Sequence, residues 1–153
     1  GEGKLEDSPL SVPAAAERHI ESFLVEPGDT KLQHLGQVGG PLKLWTLYPH
    51  MHLVGSEFRV TRVRSEETVC MAHIDRYDFN AQRSYFFDGA FDALPDLGAE
   101  DVLRVECIYN NSTTNPVLME YGGDEAGATT ATVGEGTLDE MCALGFGIVY
   151  PAP

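Results

Sequence analysis

Sixteen glycines and nine prolines are scattered through the 153 residues, and they break up any long helical pattern before it can develop. Between them, β-branched and aromatic residues come in short clusters. That alternation of short apolar runs with turn residues predicts an all-β chain, folded as an antiparallel two-sheet β-sandwich. The length suits a single domain over residues 1–153, able to bury roughly two-thirds of its unfolded surface in one core. Residues 1–12 are polar and contain proline, so they are expected to form a flexible lead-in.

Residues 14–18 are Ala-Ala-Ala-Glu-Arg and could start a helix, whereas 20–25 read as strand. Pro13 before the segment and the Pro27-Gly28-Asp29 turn after it favour the strand. Residues 42–48 form an apolar strand that runs into Tyr48, Pro49, His50, Met51, His52, Leu53, Val54 and Gly55. Beyond Gly55, the alternation of Phe58, Val60 and Val63 with Arg59, Thr61 and Arg62 suggests a half-exposed strand paired back on the first. Residues 69–74 form another. The aromatic segments 77–80 and 85–87 are expected to cross between sheets, 94–98 to turn, and 102–109 to form a strand with Leu103, Val105 and Cys107 on one face. Residues 110–136 read as loop and include two overlapping sequons at Asn110 and Asn111. Residues 141–150 supply the closing strand.

Ten Lys plus Arg against 24 Asp plus Glu give a formal charge of −14, which repels phosphate backbones and anionic bilayers, so neither nucleic acid nor a membrane is an expected partner. No apolar run reaches the roughly 20 residues of a membrane-spanning helix. A secreted, periplasmic or otherwise extracytoplasmic location is expected, with any leader removed or the chain an excised domain.

Two of the five histidines, His50 and His52, stand one residue apart. On an extended backbone, side chains at i and i+2 share a face, so two imidazoles lie side by side with Met51 turned away. That is half of a metal site. His19 and His34 are isolated and read as surface residues, and His73 sits on the 69–74 strand. Three cysteines leave one odd thiol. Cys107 and Cys142 are the expected pair, each on a predicted strand and together enclosing the Asn/Gly-rich loop. Their bridge would fix the backbone beside Met141. Met51, Met71 and Met119 compete with Met141 as a third ligand, but only Met141 is tethered in this way. Two imidazoles with a neutral thioether suit copper, because soft sulfur favours Cu(I), whereas zinc more often recruits carboxylate or thiolate.

These residues resemble a family. His50, Met51, His52, Leu53, Val54 and Gly55 fit a His-x-His-x-x-Gly pattern, and Glu140, Met141 and Cys142 fit a Glu-Met-Cys signature. Both are similar to the carboxy-terminal catalytic domain of the ascorbate-dependent type II copper monooxygenases, the group of peptidylglycine α-hydroxylating monooxygenase and dopamine β-hydroxylase. The similarity runs over residues 42–150. It implies a jelly-roll-like sandwich, one copper per chain on His50, His52 and Met141 as the catalytic centre, and Cys107 in the place of the family's bridging cysteine. It further implies activation of dioxygen and hydroxylation of a substrate C–H bond, with ascorbate or another electron donor and a small-molecule or peptide substrate.

In the family a second copper, held by three histidines of a preceding domain, supplies an electron. His19, His34 and His73 offer no adjacent His-His pair for that role, so a second copper domain is an expected partner. The amidating members carry Arg two residues before the first ligand and Tyr four after the ligand Met. Here those positions are Tyr48 and Gly145, which argues against a peptidylglycine substrate. The alternatives are a non-catalytic copper-binding module for storage, delivery or sensing, and a zinc or metal-free adhesion sandwich in which Asp139 or Glu140 would be a ligand.

Overall fold

The computed structural model describes residues 9–26, 42–98, 100–122, 127 and 129–150; His34 and the expected turn at Pro27 lie outside them. Its strands are β1 Ser11–Val12, β2 His19–Val25, β3 Leu42–His50, β4 Gly55–Arg64, β5 Glu67–Ile74, β6 Tyr85–Phe86, β7 Asp96–Leu97, β8 Val102–Tyr109, β9 Ala131–Thr132 and β10 Ala143–Val149. A short helix, α1 Pro116–Gly122, and two 3-10 turns, Phe79–Ala81 and Phe91–Ala93, complete the described elements. Every pairing between these strands is antiparallel.

One sheet has the order β2-β8-β4-β5. The second has β10-β3-β6, with β7 also on β3, and β1 with β9 makes a separate ribbon. The expected all-β sandwich is what forms. Strand β8 shows why: Leu103, Val105, Cys107 and Tyr109 are all fully buried, while Arg104 lies outside between them. They meet Phe58 and Val60 of β4, Phe23 and Val25 of β2, and from the opposite sheet Leu44 and Leu47 of β3 and Leu97 of β7, in one continuous core. Each such side chain contributes about 1.5–3 kcal/mol by leaving water.

Several expectations are corrected. The lead-in does not extend to residue 12, because β1 pairs with β9 and buries Leu10 and Val12. Strand β4 is not paired back on β3; it lies in the other sheet, between β8 and β5. The reason is the link between them. Met51, His52, Leu53 and Val54 are all buried, so the chain crosses the core edge from one sheet to the other instead of turning in solvent. Extended structure therefore stops at His50. Gly55 closes the crossover, and a Cβ there would stand 2.8 Å from Met51 Cβ, closer than the atoms can approach.

The 94–98 segment is more than a turn, since β7 within it pairs Leu97 with Leu42. The 110–136 region is likewise not all loop. It holds α1 and β9, and Asn115 caps the helix by accepting the Val117 N–H at 3.0 Å, with Pro116 in the first turn. The aromatic segments do cross between sheets as expected, carrying the chain from β5 to β6.

Candidate metal centre

His50 is the last residue of β3 and pairs with Ala143, the first of β10. His52 follows in the crossover, 6% exposed, while Met51 between them is fully buried. The two-residue alternation thus survives past the strand end. The imidazole rings stand 5.1 Å apart, centre to centre, and nearly perpendicular at 87°. Tyr48 stacks on the far side of His50, and Phe79 packs edge-on against His52 at 5.8 Å.

Each ring has an oxygen partner at Nδ1. His50 Nδ1 lies 2.6 Å from Gln82 Oε1, and His52 Nδ1 lies 3.0 Å from the Gly136 carbonyl and 3.2 Å from that of Asp139. An oxygen acceptor at Nδ1 draws the ring hydrogen there, and in a neutral ring that leaves the Nε2 lone pair for a metal. This is the arrangement by which outer partners orient metal-bound imidazoles.

Met141 lies two residues ahead of Ala143, so β10 pairing brings its backbone to the His50 end of β3. Its carbonyl accepts the Tyr109 hydroxyl at 2.8 Å, and the Cys107–Cys142 disulfide follows at once. The expected pairing of cysteines is therefore present, with Cys70 free and exposed on β5. His19 bonds Glu21 at 2.8 Å on β2, and His73 lies near Glu57; neither approaches the pair.

Four residues here escaped the sequence reading in these roles. Gln82 and Tyr77 come from the stretch after β5; Tyr77 donates to the Met51 carbonyl at 2.8 Å and accepts its N–H at 2.9 Å, and burial pushes its phenol up to about 12. Tyr109 is buried in β8, which raises its pKa further. Glu140 is fully buried, with its two oxygens accepting the N–H groups of His52, Val54 and Met141. Burial pushes its carboxyl up to about 7, against the three N–H donors that favour the charged form. Its place beside Met141 in the motif was the only available signal.

No family model matches the chain, and no curated protein matches its sequence significantly.

Among the described residues, no group of three or more His, Cys, Asp and Glu side chains gathers that could hold a metal ion. The acidic neighbours are otherwise engaged: Asp139 Oδ2 accepts the Gly136 N–H at 2.9 Å, and Glu140 serves three amides. Met141, the soft donor expected from the sequence, has its backbone at the same end of β3 as His50. Beside Phe79, a cleft of about 510 Å³ opens between Leu53, Tyr77, Phe79 and Val117.

Proposed function

We propose that this chain is the dioxygen-activating copper half of a type II, ascorbate-dependent monooxygenase, with one copper on His50, His52 and Met141. The observation that carries the reading is the pair of imidazoles with ring centres 5.1 Å apart, each with its Nδ1 facing an oxygen partner, Gln82 Oε1 for His50 and the Gly136 and Asp139 carbonyls for His52. Imidazole pairs with thioether suit copper in both of its oxidation states. Copper bound there would supply one-electron chemistry towards dioxygen. The protein's part is to hold the imidazoles in one tautomer, to press Phe79 against His52 and keep water from that side, and to leave the neighbouring cleft for a C–H substrate.

The commitments of Asp139 and Glu140 weigh against a zinc site completed by carboxylate. A disulfide belongs to oxidising compartments, which supports an extracytoplasmic setting. Electrons would come from ascorbate or a similar donor through a second copper domain.

Titration of the apo protein should show one Cu(II) bound per chain, with tight binding lost in the His50→Ala, His52→Ala double variant. Equal affinity in that variant would sink the site. The reduced, copper-loaded protein should consume dioxygen with an electron donor; copper binding without oxygen uptake would point to a storage or delivery module.

A further inference from the structure

We infer that Glu140 is the positioning residue that sets where Met141 stands relative to the two histidines, and so sets the balance between Cu(I) and Cu(II) affinity; this rests on the copper site proposed above. Its carboxylate is fully buried. Oε2 accepts N–H groups from His52 at 2.9 Å and from Met141 at 3.1 Å, and Oε1 accepts that of Val54 at 2.8 Å. One planar group thus ties the β3–β4 crossover, which carries His52, to the segment before β10, which carries Met141.

The imidazoles do not need this tie for their orientation, because each has its own acceptor at Nδ1. A thioether has no comparable polar anchor. Its side chain is flexible and its sulfur only a weak acceptor, so its reach towards the histidines depends on where its backbone is held. The other restraints on that backbone, the Cys107–Cys142 disulfide, Tyr109 on the Met141 carbonyl, Thr132 on the Glu140 N–H and the Gly134 N–H on the Glu140 carbonyl, come from β8, from β9 and from the chain just after it. Glu140 is the restraint that joins Met141 directly to the backbone of His52. Loosening it falls on the sulfur, and sulfur matters mainly to the soft ion, Cu(I).

Glu140→Gln tests this with little change of shape. An amide can keep its oxygen against the His52 and Met141 donors only by turning an NH₂ towards the Val54 N–H, and the opposite orientation breaks the tie outright. Glu140→Asp, too short by one methylene to span the donors, is the second variant should the first fail to fold. The expected result is a loss of roughly 10–100-fold in Cu(I) affinity, the range for outer partners of metal ligands, with Cu(II) affinity largely kept. The midpoint potential should then fall by about 59 mV for each tenfold. X-ray absorption on the reduced variant should lose the sulfur scatterer that the wild type shows. In the apo protein, hydrogen exchange at the His52, Val54 and Met141 amides should accelerate while β8 stays protected. A wild type that binds no copper would remove the copper site and this inference with it. Wild-type Cu(I) binding through sulfur, together with an unchanged Cu(I) to Cu(II) ratio in the variants, would overturn the role of Glu140 alone.

Discussion

Asp101 is a buried charge with a partner of its own. Arg64 donates two bonds to its carboxylate, each 2.7 Å, and the Gly98 N–H adds a third at 2.6 Å. Burial pushes the carboxyl up, but these donors outweigh it and hold its pKa below the usual value. Because the folded-state pKa is the lower one, the stabilisation is present above about pH 4 and is lost as pH falls through the folded value. Asp101→Asn should therefore cost about 1–3 kcal/mol at pH 7. Urea unfolding at pH 7 and at pH 3 should show the gap between variant and wild type shrinking at the lower pH. Met141→Ala should weaken Cu(I) binding much more than Cu(II), for the reason of softness. Its control is Met51→Ala: Met51 is in the core, so truncation should cost about 2–5 kcal/mol yet leave the sulfur scatterer of the reduced protein intact. Survival of that signal in Met141→Ala, with its loss in Met51→Ala, would reverse the ligand assignment.

Elements differ in how plainly their residues announce them. Strand β8 was legible because one face is wholly apolar and Arg104 and Glu106 interrupt it on the other, a two-residue period that packing enforces until Ile108 is buried as well. The β3–β4 connection was not, since nothing local distinguishes a hairpin from a crossover when the link is apolar throughout; only its burial decides. Helix α1 was missed because it is short and lies among Asn, Thr and Gly, although Asn115 followed by Pro116 is a helix start in form. Asn115→Ala should cost about 1 kcal/mol by freeing the Val117 N–H, readable as a shift in the thermal midpoint; no shift would show that the cap contributes nothing. Of the candidate centre, the His pair was visible from spacing and Met141 from its tether to a cysteine. Gln82 was invisible: it lies 32 residues from His50, and only the chain's return from β5 to β6 brings them together. Glu140 stood in view beside Met141, but its task is defined by amides of the distant crossover, which no reading of neighbours reveals.

At the scale of the whole molecule, a formal charge of −14 makes the folded chain repel itself, and salt screens that repulsion over about 10 Å at 0.1 M. The thermal midpoint at pH 7 should rise between low and physiological ionic strength; a midpoint that falls would mean that the surface ion pairs outweigh the repulsion. The Cys107–Cys142 bridge runs from β8 in one sheet to the residue that leads into β10 in the other, so it rivets the two layers together. Its removal should cost about 2–4 kcal/mol. Cys107 is fully buried, and thiol exchange requires an attacking thiolate to reach a sulfur of the bridge. The core therefore shelters one half of the bond, while Cys142 is only partly buried, so a small thiol added to the native protein has to attack from the Cys142 side. The pace at which such a reagent severs the bridge becomes a clock for how often the chain around Cys142 lets it in, one that ticks whether or not any metal is bound.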